Sequence, residues 1–332
     1  MTKYDVLTIG NAIVDVIARA EDDFLTENNI IKGAMNLIDA DRAKYLYDRM
    51  GPAIETSGGS ASNTAAGVAS FGSSAAYFGK VADDQLGEIF KHDIRAQGVA
   101  FDTKPLDNTP PTARSMIFVT PDGQRSMNTY LGACVELGPE DVEEEKAANS
   151  GIVYFEGYLW DPPRAKNAIR KTAQIAHANA GKVAISLSDP FCVDRYRDEF
   201  LELMQTGTVD IVFANEEELK SLYQTADFDT AIDVLRDDCE LAAITHGAEG
   251  SVIVRGDETY KIEAIAIDEL VDTTGAGDLY AAGFLHGLAL DLDLETCGNL
   301  GSLAAGIIIQ QIGPRPQVSL QQAAIDTGLI KA

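Results

Sequence analysis

Apolar runs and amphipathic segments alternate along the chain after about residue 150. Short continuous apolar runs are typical of strands buried on both faces, and runs with apolar residues every three to four positions are typical of helices. After a first strand at 4–10, strands are predicted at 152–158, 183–188, 209–214 and 241–245, with a late pair at 251–255 and 259–265. Helices are predicted at 164–179, 197–204, 276–290 and 294–312, with one more opening at Glu216. This order predicts an α/β fold in which helices cover both faces of a parallel sheet.

The first 150 residues add a different pattern. Alternating runs at 112–119 and 124–131 flank Pro121-Asp122-Gly123, and proline followed by Asp-Gly is typical of a hairpin turn. Two further short strands are predicted at 14–18 and 35–38. We therefore expect one domain of residues 1–332, with a small β-sheet lid whose strands come from about residues 12–40 and 110–132.

The charge excludes two classes of partner. The chain has 332 residues with 52 Asp and Glu against 26 Lys and Arg, so its net charge is −26. Such a surface repels nucleic acids and anionic lipid headgroups, and no apolar run approaches the roughly 20 residues of a membrane span. We expect no nucleic-acid partner and no membrane partner.

The N-terminus and the cysteines indicate a compartment. The first residues lack the apolar core of a signal peptide, and the four cysteines are far apart with no CxxC pair. This pattern suits a reducing cytoplasm, where neither a disulfide framework nor a zinc site is expected.

The clearest chemical motif runs from Asp272 to Asp278, with the sequence DTTGAGD, and an apolar helix follows it. Its glycines allow a tight turn and leave the first N–H groups of the helix uncovered, which makes an anion site. A carboxylate at Asp278 beside that site is what phosphoryl transfer to an alcohol needs. The structural alternative is a glycine-rich helix start with an N-terminal Asp, but the full motif favours the anion site.

Charge is unevenly distributed around this motif. Residues 262–314 contain eight acids and no Lys or Arg. A lid arginine could supply the missing cation, because its planar fork pairs with phosphate oxygens. Arg125, on the predicted hairpin, is the candidate, and a plain surface arginine is the alternative.

Four motifs together resemble the ribokinase-like (PfkB) carbohydrate and nucleoside kinases. They are GNAIVD at 10–15, GGSASN at 58–63, NEEE at 215–218 and DTTGAGDLYAAGF at 272–284. Three further stretches are similar to the adenosine kinases within that family: SLSDPF at 186–191, QRS at 124–126 and AAGIII at 304–309. No GxxxxGK[ST], HExxH or GxSxG motif is present, which argues against P-loop, zinc-protease and α/β-hydrolase chemistry.

The resemblance implies a role for each matching residue. Asp278 would be the catalytic base, and the amides of Gly275, Ala276 and Gly277 would form the anion hole. Substrate hydroxyls would be bound by Asn11, Asp15, Gly58, Gly59 and Asn63. The half of the chain at about 182–315 would bind ATP, through Thr245, Gly247 and Asn299, with Asn215 and Glu218 ordering the phosphates and Mg²⁺ through water. Asp272 and Thr274 match positions that bind a monovalent cation such as K⁺ in some members.

The residues themselves leave plainer readings open. Asp15 follows a buried run, where a carboxylate needs hydrogen-bonding partners such as sugar hydroxyls, and the less favoured alternative is a surface Asp at a strand end. The acidic run at Glu216–Glu218 could be a solvated helix start favoured by the helix dipole.

The expected function is ATP-dependent phosphorylation of a hydroxyl on a ribose-like substrate, with adenosine at its 5′-hydroxyl as the expected acceptor. The alternatives are a kinase of the same family that acts on fructose, ribose or a keto-sugar acid, and a non-catalytic ligand-binding protein on this fold. The chain is expected to be a monomer or a homodimer paired through an edge of the lid sheet.

Overall fold

The computed structural model describes residues 3–107 and 109–331, and within them the strands form a nine-stranded sheet and a five-stranded sheet. The strands are β1 (Tyr4–Ile9), β2 (Ile13–Arg19), β3 (Met35–Leu37), β4 (Ala53–Gly58), β5 (Ala75–Phe78), β6 (Val99–Ala100), β7 (Ala113–Val119), β8 (Arg125–Tyr130), β9 (Ser150–Glu156), β10 (Lys182–Ser186), β11 (Ile211–Asn215), β12 (Leu241–Thr245), β13 (Ser251–Arg255) and β14 (Glu258–Ile262). The α-helices are α1 (Asp22–Glu27), α2 (Ala40–Tyr47), α3 (Ser60–Ser70), α4 (Gln85–Ala96), α5 (Glu144–Ala148), α6 (Pro163–Ala178), α7 (Pro190–Gln205), α8 (Glu216–Tyr223), α9 (Phe228–Asp238), α10 (Ala276–Ala289), α11 (Leu294–Ile308) and α12 (Leu320–Asp326).

The large sheet confirms the predicted α/β class. Its order is β14-β13-β12-β11-β10-β9-β1-β5-β6, and every neighbouring pair is parallel except β12–β13 and β13–β14. The carboxyl ends of parallel strands meet at one edge of a sheet, which is where open α/β sheets bind ligands. Here β1, β9, β10, β11 and β12 all end at that edge.

Alternate residues of the central strands enter two separate cores. In β11, Ile211 and Phe213 pack with α10 and α11 on one face, whereas Val212 and Ala214 pack with α6 to α9 on the other. Burial on both faces is why these strands appear in the sequence as continuous apolar runs.

The smaller sheet has the order β3-β8-β7-β2-β4. The predicted hairpin is confirmed: β7 and β8 pair antiparallel across residues 120–124, and Asp122 accepts hydrogen bonds there from Thr120 Oγ1 (2.6 Å) and the Gln124 amide (3.3 Å). Buried side chains that include Val16, Met116 and Phe118 form a core of their own beneath α1 and α2. The sheet therefore has one face packed and leaves the other toward the cleft described below.

Several N-terminal elements were not indicated by the sequence pattern. Helix α3 is built mainly of Ser, Ala and Gly and has no polar face to mark it, because eight of its residues are buried. Strand β4 begins with four positions that are exposed or half-buried, so it lacks an apolar run. The predicted helix at 294–312 is shorter than expected and ends at Ile308.

Among the described helices none is long and apolar enough to cross a membrane. The division into one domain with a lid, the boundaries of the nucleotide half, and the cytoplasmic location stay predictions.

A buried ion pair links the end of the large sheet to the segment before α5. Lys80 Nζ lies 2.5 Å from Asp141 Oδ1, and both side chains are less than 10% exposed. Asp141 also accepts a hydrogen bond from the Gly138 amide at 3.0 Å. A buried charge that loses its partner costs far more than an exposed one.

We expect Lys80→Met to lower the free energy of unfolding by about 3–5 kcal/mol, because it keeps the packing of the stem and leaves the Asp141 carboxylate unpaired. Urea denaturation measures this change. Lys44→Met is the control, since Lys44 and its partner Asp48 are 70% and 49% exposed and such pairs contribute about 1 kcal/mol or less. Equal losses in the two variants would contradict the prediction.

Candidate active site

A cleft of about 620 Å³ lies at the carboxyl edge of the large sheet, with the smaller sheet forming one of its walls. The strand ends contribute Asn11, Glu156, Ser186, Asn215 and Thr245, and the helix that follows the DTTGAGD motif contributes its first turn. Residues from distant parts of the chain therefore converge on one space, as expected for this kind of sheet.

Asp278 lies in the first turn of α10 and faces this cleft. Its Oδ1 accepts a hydrogen bond from Ser60 Oγ at 2.6 Å, and its Oδ2 accepts one from Asn63 Nδ2 at 2.8 Å. Thr64 Oγ1 donates to the Asp278 carbonyl at 3.2 Å. Helix α3 thus holds the Asp278 carboxylate in a fixed orientation. Within the described chain, Asn63 Oδ1 is buried without a partner.

Two opposing effects act on the Asp278 carboxyl. Burial raises its pKa, while the hydrogen bonds from Ser60 and Asn63 and the charge of Arg315 hold the pKa down. Desolvation disfavours the charged form and donated hydrogen bonds favour it. Burial is the larger effect, so the pKa of Asp278 is raised and its carboxylate is a better proton acceptor than a free aspartate.

The first turn of α10 provides free amides beside that carboxylate. Gly275 has φ +80, where a Cβ would be strained and would also lie 2.7 Å from Pro314 Cβ. In the described structure the amides of Gly275, Gly277 and Asp278 have no hydrogen-bond partner, whereas the Ala276 amide donates to the Thr273 carbonyl at 3.2 Å. The uncovered amides and the helix dipole can bind an anion. Of the three predicted anion-hole amides, Ala276 is thus already occupied.

On the substrate side, Asn11 is held by a residue that the sequence did not reveal. Glu156, at the end of β9, accepts hydrogen bonds from the Asn11 amide (2.9 Å) and Asn11 Nδ2 (2.7 Å) through Oε1, and from the Ala61 amide (2.6 Å) through Oε2. Glu156 is 1% exposed, and burial raises its pKa to about 7 against the effect of those donors. It ties the end of β1 to the start of α3.

The glycines at 58 and 59 permit close packing at this point. Gly59 has φ +92, and a Cβ there would lie 2.1 Å from the Asn11 carbonyl oxygen. A Cβ on Gly58 would lie 2.3 Å from Asp15 Oδ2. Gly58 itself does not line the cleft, but its lack of a side chain leaves space for the Asp15 carboxylate, which does.

Asn215 and Glu218 meet across the start of α8. Glu218 accepts from Asn215 Nδ2 (2.6 Å) and from the Asn215 amide (3.0 Å), while Asn215 Oδ1 accepts from the Glu218 amide (2.9 Å), so the two residues form a capping box. Both line the cleft. Glu218 is 5% exposed, and burial raises its pKa to about 7. Glu218 is therefore not a solvated residue of the helix start.

The remaining predicted nucleotide residues separate into two groups. Thr245 and Gly247 line the cleft, whereas Asn299 lies within α11 and does not. The roles of all these residues toward ATP stay predictions.

Arg125 begins β8 and pairs with Asp272 through Nη2 and Oδ2; both side chains are less than 10% exposed. Asp272 also accepts from the Thr274 amide (3.1 Å) and the Gly313 amide (3.0 Å). Arg125 is therefore a buried contact between the smaller sheet and the segment before α10, neither a surface arginine nor a residue of the cleft wall. Its catalytic role, and the role of Asp272 and Thr274 toward a monovalent cation, stay predictions.

Two arginines that no motif indicated are placed at the cleft. Arg195, in α7, is the single Lys or Arg among the described residues that line it, facing five acids: Asp15, Glu156, Asp161, Glu218 and Asp278. Arg315 lies behind the glycines at 58 and 59 and is described further below. Neither could be found from sequence, because nothing in its neighbours marks it as part of a site.

The chain matches the pfkB family carbohydrate kinases over residues 5–320. It is 70% identical to an adenosine kinase of known structure from Sinorhizobium meliloti, which has a TM-score of 0.94 and covers 98% of this chain and 99% of that one. A structure described as a probable sugar kinase from Rhizobium etli is 64% identical, with a TM-score of 0.95 over 99% and 100% of the two chains. Adenosine kinase from Saccharomyces cerevisiae is 28% identical over 93% of this chain and 96% of its own.

The protein therefore belongs to the pfkB family and is a kinase with the ribokinase-like fold. Its relatives include adenosine kinases from Sinorhizobium meliloti and Saccharomyces cerevisiae.

Asp15 provides a pH-dependent prediction for the protein without substrate. It is 8% exposed, and burial raises its pKa to about 7, with Arg315 and Arg125 acting in the opposite direction. The folded protein keeps this proton up to about pH 7, whereas the unfolded chain releases it above about pH 4. The free energy of unfolding therefore falls as the pH rises from about 4 to about 7. We expect Asp15→Asn to raise the free energy of unfolding by about 2 kcal/mol at pH 8 and to change it little at pH 4.

Thermal unfolding of the substrate-free protein at the two pH values measures this effect. Asp257→Asn, at an exposed turn, is the control and should show no such difference. A destabilised Asp15→Asn variant at pH 8 would show that the carboxylate is stabilised in the fold instead.

Proposed function

We propose that this protein transfers the γ-phosphoryl group of ATP to the 5′-hydroxyl of adenosine, giving AMP and ADP. The observation that carries the proposal is the Asp278 carboxylate, held by Ser60 and Asn63 beside uncovered amides of the same helix turn. A proton acceptor next to an anion site is the arrangement that phosphoryl transfer to an alcohol requires.

Each part of this turn has a separate task in the proposed step. Asp278 takes the proton of the attacking hydroxyl, while the amides of Gly275 and Gly277 donate to oxygens of the transferred group. An aspartate is a weak base for an alcohol, so the proton moves late, as a loose transition state permits. The hydrogen bonds to the Asp278 carboxylate keep it aimed without reorganisation.

The wall formed by the smaller sheet supports a nucleoside over a free sugar. Polar groups of Asn11, Asp15 and Asn63 face the cleft on one side and suit ribose hydroxyls. The cleft is also lined by an apolar set from the smaller sheet and its ends: Ile13, Met35, Leu37, Met127 and Leu131. A planar base would cover this apolar surface, whereas a free sugar would leave it in contact with water.

Glu218 and Asn215 fit the expected Mg²⁺ at the phosphates. Mg²⁺ favours one or two carboxylates together with phosphate oxygens and retained waters, and Glu218 offers one buried carboxylate at the cleft. When bound, the ion would neutralise charge on the phosphates. The capping box holds the Glu218 carboxylate in place for that contact.

A sugar kinase is the second candidate, favoured by the 64% identity to the Rhizobium etli protein. A non-catalytic role on this fold is disfavoured by the intact Asp278 turn.

A substrate panel tests the proposal. We expect ADP release from ATP and Mg²⁺ with adenosine at a kcat/KM at least about tenfold higher than with ribose, fructose or a keto-sugar acid, and loss of activity in excess chelator. A preference for a free sugar would establish the second candidate, and the absence of ADP release with every acceptor would support a binding protein.

Replacement of the catalytic carboxylate gives a second test. We expect Asp278→Asn to lower kcat by about 10²–10⁴-fold with little change in ATP affinity, because the amide cannot accept the proton but retains the size of the side chain. Steady-state kinetics and ATP titration measure the two effects. Retention of kcat within tenfold would reject Asp278 as the base. Asp161→Asn, which changes another acid of the cleft, is the control.

A further inference from the structure

Arg315 lies directly after Pro314, which packs against Gly275, and its guanidinium reaches the glycine loop at 57–62. Nε donates to the Ser57 carbonyl (3.2 Å), Nη1 to the Ser62 carbonyl (2.7 Å), and Nη2 to Ser62 Oγ (2.8 Å). Nη1 also donates to Gln97 Oε1 at 3.1 Å. One side chain therefore donates hydrogen bonds to the loop on both sides of its two glycines, at Ser57 and at Ser62.

The same guanidinium stands among acidic and phenolic groups from four elements. Asp15 of β2, Asp278 of α10, Asp93 of α4 and Tyr77 of β5 all act on its charge. Burial lowers the pKa of Arg315 to about 10, which leaves it charged at neutral pH. In return, its charge holds down the pKa of both Asp15 and Asp278.

We propose that Arg315 is a positioning residue, which holds the glycine loop against α10 and supplies the positive charge opposite the carboxylates of Asp15 and Asp278. This inference rests on the function proposed above. Arg315 acts through Ser62 and the loop and lies behind the two carboxylates, so it is distinct from the residues expected to touch substrate.

The two tasks can be separated by substitution. Arg315→Lys keeps the charge but cannot reproduce a planar fork that donates from three nitrogens. Arg315→Gln removes the charge as well. If Arg315 only supplied charge, Arg315→Gln alone would change the kinetics. If Arg315 only held the loop, both variants would raise the acceptor KM and neither would move the acid limb.

The decisive measurement is the pH dependence of kcat/KM together with the acceptor KM. In Arg315→Gln the acid limb should move upward by about one pH unit, because Asp278 loses a neighbouring positive charge, and kcat/KM should fall by about tenfold at a pH on that limb. In Arg315→Lys the acid limb should stay in place while the acceptor KM rises by about tenfold, because the loop is held less firmly.

Arg236→Gln is the matched control. Arg236 also donates to main chain, to the Gly256 carbonyl at 2.8 Å, but it does so away from the cleft and should leave both quantities unchanged. If Arg315→Gln lowers only the thermal stability, with wild-type kinetics and pH limb, the residue is structural and the proposal is wrong. If that variant does not fold, a wild-type acceptor KM in Arg315→Lys overturns the proposal equally.

Hydrogen exchange distinguishes failure of this inference from failure of the proposed function. Amides at 57–63 should exchange about tenfold faster in Arg315→Lys than in the wild type, whichever substrate the enzyme takes. Unchanged exchange would overturn the positioning role, whereas an inactive wild type with faster exchange in the variant would reject only the proposed function.

Discussion

The concentration of carboxylates in the cleft is the constraint on which the rest of this structure depends. Asp15, Glu156 and Glu218 are each less than 10% exposed, and burial raises the pKa of each to about 7. A site for ATP must hold a further polyanion in the same space. The chain meets this requirement with amides and amide side chains that donate to the carboxylates, and with Arg315 behind them, instead of a lysine facing the phosphates. Because these donors are positioned by the backbone, the packing of the strands and helices determines the geometry of the site.

The site also lies at the junction of the two sheets, so neither sheet provides it alone. The large sheet contributes the strand ends and the DTTGAGD turn, and the smaller sheet contributes Asp15 and the apolar wall. Two contacts join the parts there: Arg125 of β8 pairs with Asp272 in the segment before α10, and Gly59, directly after β4, lies against the Asn11 carbonyl beyond the end of β1. A shift of the smaller sheet would therefore disturb both the segment before α10 and the end of β1.

Local patterns were sufficient for much of the fold. The strands from β9 to β12 are buried on both faces and so form apolar runs, and the turn of the β7–β8 hairpin is set by its own residues. Helix α3 could not be predicted from such patterns. Its small residues pack against α10 on one side and against the sheet on the other, so its sequence lacks the alternation of apolar and polar faces that marks an amphipathic helix. Strand β4 could not be predicted either, because its first four residues are exposed or half-buried, so only its pairing with β2 identifies it.

The sequence alone determined the α/β class, the kinase family and the residues of the DTTGAGD turn, because a helix start with its glycines and carboxylate is complete within seven consecutive positions. Tertiary structure decided which side chains complete that turn. Ser60 and Asp278 are 218 positions apart, and Arg315 and Ser62 are 253 apart. No spacing rule relates residues at such separations, because their contact depends on how α3, α10 and the strand ends pack. The same packing directs Arg125 to Asp272 and leaves Arg195 as the cation lining the described cleft.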